Sequence, residues 1–586
     1  MRRGVAVWLC VLAVGVLAGR SDAQQSSSQI PDPTAPSNAY APGISRPSEA
    51  SGDSLADTAR RVRSKKDPDV EMSNTDEKEL FKSVDEIFLF ASEHTGYSRK
   101  ATVKRRLLSQ KDLEKITREH MAKADTDGEL VRMEVSLKKM GFLPRDFNLK
   151  EFSVKSSVHS IAAYYDDETK MVSMMNWIPL EKQRPILAHE LTHALQDQNY
   201  DLKKWAVAGE PKQRDDPKSH APQLGESTLA RRAVVEGQAQ VIYIDYLLAE
   251  YGRSLKDTPG VLASMEEPAV SAVVDSDLMH SAPYILREAG TFPYREGLIF
   301  EGELLEKEGK NGAFAGVFAR PPLNSHEVLQ PETYLKREKM PAVAMPDFHS
   351  ILGEKYELYD SGEIGELDVR AFLKQYDERK IAGELAQNWR GGSYVLYRKA
   401  TEGGAAGSAD PKTVAADHSP ADATVNAQKK SDGPNPDKTE TKAVAAPTTA
   451  ELSYMYVSRW KTAGIAALFA RYYTDAVRMR YKNAIAGVPA ACVGEKCPVA
   501  VASFATEEGP VLVQQWADGT VIVSESFDAA TTAQLVTAVR EGNPDLHAQT
   551  QMDLSSRLYS VPAFREWQSR IGELVRLNLE QQLGKR

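Results

Sequence analysis

One segment of fifty residues in this chain lacks almost all the side chains from which a protein core is built. Residues 401–450 contain no Leu, Ile, Met, Phe, Tyr or Trp, and Ala, Thr, Lys, Asp and Pro dominate. Such a composition buries too little apolar surface to offset the entropy lost on folding, so we expect disorder there. Residues 24–74, rich in Ser, Pro, Ala and Asp, are predicted to be disordered for the same reason.

The flanks of residues 401–450 leave two arrangements open. Residues 393–399 and 452–460 both alternate and are rich in Tyr and Val, which predicts two strands. If these strands pair, the segment between them loops out at small cost, because loop-closure entropy grows only with the logarithm of loop length. In the other arrangement, the segment is a plain linker between two domains.

Composition excludes several classes of protein. The chain has 586 residues, of which 42% are hydrophobic and 26% charged, and its formal net charge is −9. These values are ordinary for a soluble protein with more than one folding unit, and they exclude a polytopic membrane protein, a collagen and a wholly disordered chain. No basic field argues for a nucleic-acid partner.

The first 23 residues are typical of a secretory signal peptide. Arg2 and Arg3 precede an apolar run over residues 5–17, and Ser21 and Ala23 offer a cleavage pattern of small residues. We therefore expect an exported protein, periplasmic or extracellular, with no membrane span after cleavage. The alternative is an uncleaved N-terminal anchor.

The cysteines fit an exported chain. Cys10 lies in the signal segment, which leaves Cys492 and Cys497. Oxidising compartments favour disulfides, and a zinc site at this pair would need two further ligands that the local sequence does not offer. We expect Cys492 and Cys497 to form a small disulfide loop.

The strongest chemical signal is the pattern H-E-x-x-H within residues 188–196, which read Ala-His-Glu-Leu-Thr-His-Ala-Leu-Gln. Its apolar spacing predicts a helix ending near Gln198, after two strands at 160–165 and 170–177. His189 and His193 then share one helix face and can bind one Zn²⁺ ion. Glu190 can reach a zinc-bound water and accept its proton. The alternative is a pair of surface histidines on an amphipathic helix.

A third metal ligand is expected from a downstream helix over residues 228–251. Glu236 is a lone carboxylate among Val, Ala and Ile residues, and a buried carboxylate without a partner is costly unless a metal binds it. The alternative is a Glu at the boundary of an amphipathic helix. Asp245 is the rival ligand, in a more polar setting between Tyr243 and Tyr246.

These features together resemble the gluzincin group of zinc metallopeptidases, and more closely a family of exported bacterial proteins of that type. The similar segments are residues 163–166, 188–198, 235–239, 292–297, 320–325, 328–334 and 388–394. The resemblance implies that His189, His193 and Glu236 bind Zn²⁺ and that Glu190 is the general base. Thermolysin-like members carry an Asp four residues after the ligand Glu. This chain has Gln240 there, whose amide oxygen is expected to accept the same hydrogen bond from a ligand imidazole.

Substrate contacts are less constrained by the sequence. In such metallopeptidases an extended peptide lies along an edge strand, and residues 171–176 are a candidate edge or, equally, an ordinary internal strand. His280, Tyr294, Arg295 and His326 lie in plausible segments for stabilising an oxyanion, but such residues are more often structural, so none is chosen.

The sequence as a whole predicts an α+β fold that is mainly helical. A zincin-like region, with a strand hairpin, the H-E-x-x-H helix and a Glu-bearing helix, covers 75–364. A smaller α+β unit covers 365–400 and 451–545, and a helical tail covers 546–586. The predicted function is an exported zinc-dependent metallopeptidase acting on a peptide or protein substrate. The alternatives are a non-catalytic zinc-containing binding or scaffolding protein and a zinc hydrolase of non-peptide amides.

Overall fold

The architecture is that of a computed structural model. It describes residues 72–124, 128–157, 163–206, 208, 226–258, 260, 262, 281–340, 343, 345–376, 381–400, 446–489, 492, 494, 497–541 and 552–553. The predicted signal peptide, almost all of the 24–74 segment, most of 401–450 and nearly all of the 546–586 tail lie outside these residues. The described chain has an α+β fold with two sheets.

The N-terminal half is mainly helical. Its elements are α1 (Asn74–Thr95), β1 (Lys104–Leu108), α2 (Gln110–Ala124), α3 (Glu129–Met140), α4 (Leu149–Ser157), β2 (Ala163–Asp166), β3 (Met171–Met175), α5 (Leu180–Tyr200), α6 (Leu202–Ala206) and α7 (Glu226–Ala249). A 3₁₀ turn (Leu255–Asp257) and α8 (Tyr284–Lys307) follow. The next helical stretch consists of α9 (Gly309–Asn311), a π-helical segment (Gly312–Gly316) and α10 (Val317–Ala319), and then come α11 (Ser325–Leu329) and α12 (Pro331–Lys336).

The C-terminal half is built around strands. Its elements are α13 (His349–Leu352), a 3₁₀ turn (Gly353–Lys355), β4 (Tyr356–Glu363), α14 (Glu366–Tyr376), α15 (Ile381–Ala386), β5 (Trp389–Lys399), a 3₁₀ turn (Thr449–Glu451), β6 (Leu452–Trp460), α16 (Ala463–Arg480), β7 (Ile485–Ala486), β8 (Ala500–Thr506), β9 (Gly509–Gln515), β10 (Thr520–Glu525), α17 (Ala529–Glu541) and β11 (Met552–Asp553). Cys492 and Cys497, in the connection between β7 and β8, are joined by a disulfide.

The small sheet has the order β1-β3-β2, with β3 parallel to β1 and antiparallel to β2. β3 is therefore internal, and the interpretation of residues 171–176 as a free edge is wrong. The sequence does not predict β1, because its Lys-Arg-Arg-Leu-Leu stretch lacks the β-branched and aromatic residues that favour strands. Among the described strands, β2 pairs with β3 alone, which makes β2 an edge.

The large sheet has the order β11-β4-β5-β6-β10-β9-β8-β7. β5 and β6 pair antiparallel, with Tyr394 opposite Tyr456, so the 401–450 segment connects two neighbouring strands of one sheet. β4 belongs to the same sheet, and residues of α3 and α4 pack into the core on one of its faces. The predicted boundary at 364 therefore does not separate two cores, because the chain before it contributes both a strand and two helices to the C-terminal unit.

Buried aromatic side chains fill the core of the large sheet. Tyr454, Tyr456, Trp460 and Tyr473 all belong to this core, and Tyr472 packs partly buried against it. These rings therefore serve packing, which is the commoner use of such residues. None of the helices in the described ranges is long and apolar enough to cross a bilayer.

A close crossing of α7 and α8 positions the candidate site. A Cβ added to Gly237 would lie 2.3 Å from the carbonyl oxygen of Gly297, and one added to Gly297 would lie 2.3 Å from the carbonyl oxygen of Ala233. Only glycine at both positions allows this backbone contact. The contact fixes the height and rotation of α7, the helix that carries Glu236.

Candidate metal centre

The H-E-x-x-H residues lie on α5, a helix buried along most of its length. Leu187, Leu191 and Leu195 are fully buried and anchor α5 in the N-terminal core. His189 and His193 are four residues apart and therefore lie on the same face of α5, one turn apart. His189 is 1% exposed, and the side chain of His193 is 13% exposed.

Glu236 comes to the same place from α7, which packs between α5 and α8. Nearly every side chain of α7 is buried, as expected for a helix that is apolar around most of its circumference. Glu236 is 4% exposed. Its position follows from the glycine contact of the next residue, Gly237, with α8.

The three side chains bring one donor atom each to a common point. Nε2 of His193 lies 3.0 Å from Nε2 of His189. Oε2 of Glu236 lies 3.3 Å from each of these nitrogens. A tetrahedral ion with bonds of about 2.0–2.1 Å holds its ligand atoms about 3.3 Å apart. This buried group can therefore hold a metal ion, as its geometry matches three corners of a tetrahedron.

The chemistry of the donors also fits a metal. A direct N–H···O hydrogen bond is usually about 2.7–3.2 Å long. Oε2 of Glu236 is buried and lies 3.3 Å from both imidazoles, slightly beyond that range. Two imidazoles and one carboxylate form a set that several divalent transition metals accept, Zn²⁺ among them.

Glu190 lies beside this group and is 5% exposed. The backbone N–H of Tyr165, in the edge strand β2, donates to its Oε2 at 2.9 Å. Burial is the main cause that raises the pKa of Glu190 to about 8; the charge of Glu236 adds to the rise, and His193 and the Tyr165 N–H oppose it. A bound cation would oppose this rise, because it stabilises a carboxylate.

The imidazoles differ in their electrostatic environment. Burial lowers the pKa of His189 to about 4. For His193 burial also acts downwards, but the charge of Glu236 outweighs it and raises the pKa to about 9. Burial would raise the pKa of Glu236, yet His193, His189 and Arg232 hold it well below its ordinary value. The Arg232 guanidinium lies 3.8 Å from Oε1 of Glu236, whereas the two histidines lie near Oε2.

The hydrogen bond expected from Gln240 is made by another glutamine. Gln240 is fully buried, but within the described ranges neither its amide oxygen nor its nitrogen makes a hydrogen bond. Oε1 of Gln196 lies 2.9 Å from Nδ1 of His193 instead. Nε2 of Gln196 donates to the carbonyl of Val235 and to Oε1 of Gln238, both at 3.0 Å. Sequence reasoning missed Gln196 and Gln238, although each is a polar residue within three positions of a predicted ligand.

The other candidates take different positions. Asp245 accepts a hydrogen bond from the N–H of Leu255 at 2.6 Å and does not belong to the metal group. His326 is buried and paired with Glu366. Arg295 lies 3.1 Å from Glu296, and the ring of Tyr294 lies 6.4 Å from that of His189, centre to centre. His280 is outside the described residues.

Compared with known proteins, the chain matches no protein-family model, no curated protein and no solved structure.

Proposed function

We propose that this protein is an exported zinc-dependent metallopeptidase. The observation that carries the proposal is the convergence of His189, His193 and Glu236 within 3.3 Å, with the carboxylate of Glu190 held beside them. A purely structural metal site needs ligands and no adjacent base. The buried Glu190, one residue along from His189, therefore favours catalysis.

A zinc ion held by these three ligands would supply Lewis-acid activation of a water molecule for attack on a carbonyl. The side chain that would accept and donate the proton of this water is Glu190. Oε2 of Glu190 is oriented by the Tyr165 N–H, which leaves Oε1 to accept a proton from the attacking water. The same oxygen can pass that proton to the leaving amine, so the balanced result is one carboxylic acid and one amine for each peptide bond and water consumed.

The edge strand β2 favours a peptide as the substrate over other amides. Because the Tyr165 N–H donates to Glu190, this side of Tyr165 faces away from β3 and towards the site. In an antiparallel strand, the N–H and C=O of one residue point the same way. An extended peptide added along this edge would form main-chain hydrogen bonds next to Glu190.

The test is Glu190→Gln, which keeps the shape of the side chain and removes the base. We expect kcat for peptide hydrolysis to fall by about 10²–10⁴-fold, with an unchanged zinc stoichiometry. The measurement is turnover of a mixed peptide library together with metal analysis of the purified protein.

Glu327→Gln is a matched control. Glu327 is another buried glutamate that accepts a main-chain hydrogen bond, from Leu323 N–H at 2.7 Å, and it lies outside the metal group. This variant should keep its activity. Full activity in Glu190→Gln would refute the general-base role. A wild-type protein that binds zinc but cleaves no peptide would instead support a scaffolding protein or, if it hydrolyses simple amides, a non-peptide amidase.

A further inference from the structure

We infer that Gln196 and Gln238 form a hydrogen-bond relay that connects main-chain carbonyls on other helices to Nδ1 of His193. The hydrogen bonds of this relay can run in one direction only, and they thereby set the ring tautomer of His193. The two glutamines are positioning residues, since Gln196 contacts the Nδ1 side of His193 and Gln238 contacts Gln196. The inference rests on the proposed function only in taking Nε2 of His193 as a metal ligand.

The orientation of the first amide in the relay, that of Gln238, is fixed by the π-helical segment Gly312–Gly316. Nε2 of Gln238 lies 2.8 Å from the carbonyl oxygen of Ala313 and 3.2 Å from that of Phe314. Carbonyl oxygens only accept hydrogen bonds, so the amide nitrogen of Gln238 must face them. Its oxygen is thereby directed the other way, where it accepts from the hydroxyl of Tyr97 at 2.9 Å and from Gln196 at 3.0 Å.

The same reasoning fixes the amide of Gln196. Its nitrogen faces two acceptors, the oxygen of Gln238 and the carbonyl of Val235, each at 3.0 Å. A reversed amide would place its oxygen against both of them. The oxygen of Gln196 therefore faces Nδ1 of His193 at 2.9 Å, and because this oxygen can only accept, Nδ1 must carry the proton. Nε2 is then left with a free lone pair directed at the metal position.

Burial gives the relay its strength. Gln196 and Gln238 are both fully buried, so water cannot replace a lost partner, and each amide uses both N–H groups and its oxygen. The relay also ties three elements together: α5 with His193, α7 with Glu236, and the π-helical segment after α8. Amides achieve this without a further negative charge beside Glu236, which is how the chain can lack the usual carboxylate next to a ligand imidazole.

The first experiment compares zinc affinity in four variants by competition with a chelator. Gln196→Met removes the acceptor for Nδ1 and should weaken zinc binding by about 10–100-fold, the range known for partners of ligand histidines. Gln238→Met should have a smaller effect, because Gln196 keeps its bond to Val235. Tyr97→Phe removes a donor without changing the relay direction and should leave the affinity unchanged. Gln196→Glu retains an acceptor for Nδ1 but places its second oxygen against the carbonyl of Val235 and the oxygen of Gln238, so it should bind zinc more tightly than Gln196→Met and less tightly than the wild type.

Gln183→Met is the matched control for a merely structural role. Gln183 is on the same helix α5, is fully buried and also donates through Nε2 to main-chain carbonyls, those of Met175 and Ile178, but has no link to His193. It should lower stability as Gln238→Met does and leave zinc affinity unchanged. An equal loss of affinity in Gln183→Met, or none in Gln196→Met, would overturn the relay.

A second measurement separates this inference from the proposed function. In metal-free protein labelled with ¹⁵N-histidine, at a pH above 9 where the His193 ring is neutral, the NMR signals should show a proton on Nδ1 and none on Nε2, a pattern that is lost in Gln196→Met. Failure to bind zinc or cleave peptides would reject the proposed function while this pattern still decides the relay. Absence of the pattern in the wild-type protein would reject the relay even in an active enzyme.

Discussion

The metal centre and the large sheet both bury ionisable side chains, but they satisfy them differently. In the sheet, Glu525 is fully buried and accepts four hydrogen bonds. Two come from Arg480 at 2.9 and 3.0 Å, and two from the hydroxyls of Tyr473 and Tyr481 at 2.7 and 2.6 Å. At the metal centre, Oε2 of Glu236 makes no hydrogen bond to any described residue and lies 3.3 Å from two imidazole nitrogens.

The helical core holds a second example of an unsatisfied acid. Glu301, on α8 against Gly237, is fully buried, and neither of its oxygens makes a hydrogen bond within the described ranges. In the sheet, by contrast, the buried ammonium of Lys139 lies 3.0 Å from Glu508 and donates to Ser526 at 2.8 Å. A closed network is what a structural role requires, whereas open valences are expected where a ligand completes the set. The comparison therefore concerns the buried carboxylates: the oxygens of Glu525 have hydrogen-bond donors, whereas Oε2 of Glu236 and both oxygens of Glu301 have none within the described ranges.

The largest effect on stability is expected from Arg480→Met. Removing one partner of a buried pair leaves Glu525 uncompensated, so the free energy of unfolding should fall by about 3–5 kcal/mol. The zinc affinity of the folded protein should not change, because the pair belongs to the other core. Denaturant unfolding and a chelator competition check both statements.

Arg478→Met is the control for this change. It is the same substitution on the same helix, at an exposed ion pair with Asp475, and should cost less than about 1 kcal/mol. A comparable loss in both variants, or weaker zinc binding in Arg480→Met, would mean that the two regions are not energetically distinct.

Gly237→Ala should have the next largest effect. The new methyl group would meet the backbone of Gly297 at 2.3 Å, so α7 and α8 must separate. Overpacking of this kind costs about 1–3 kcal/mol, and here it also displaces the neighbouring Glu236, so zinc affinity should fall together with stability. Gly383→Ala, in α15, meets no atom within 4 Å and should stabilise the protein by about 0.5–1 kcal/mol. Unchanged zinc binding in Gly237→Ala would show that the helix crossing does not set the site.

The contact between Gly237 and Gly297 also shows how much of the site can be predicted from the sequence. H-E-x-x-H has an intrinsic geometry, since residues four apart on a helix always share a face, and this placed His189, Glu190 and His193 without tertiary information. Glu236 followed from its apolar surroundings. The contact of Gly237 with Gly297 joins two helices sixty residues apart, and nothing local to either glycine indicates it.

The missed features share one physical cause, which is dependence on a distant partner. β1 is a strand because β3 lies beside it, despite an unfavourable sequence. Gln240 has the right spacing from Glu236 but makes no side-chain hydrogen bond within the part of the chain that the structure describes, whereas Gln196 is placed by the approach of α7 to α5. The boundary at 364 was misplaced because α3 and α4 add to a core whose strands come more than two hundred residues later.

The smallest effect is a difference in pH dependence between the two regions. Burial raises the pKa of Glu301 well above its ordinary value of about 4.3, so the folded protein keeps a proton that the unfolded chain releases. Stability from this group is therefore present below about pH 4.3 and is lost as the pH rises, by up to about 1.4 kcal/mol per pH unit. For Glu508, burial acts upwards, but Lys139 and Arg145 outweigh it and lower the pKa to about 2, so its contribution is lost as the pH falls from about 4.3 towards 2. Denaturant unfolding at several pH values checks both groups. The free energy of unfolding of Glu301→Gln should rise relative to that of the wild type above pH 5. For Glu508→Gln, the free energy of unfolding should approach that of the wild type as the pH falls below 4.

If the free energies of unfolding of Glu301→Gln and the wild type changed in parallel with pH, Glu301 would have a hydrogen-bond partner in solution. The contrast between the helical core and the sheet core would then be limited to the metal group.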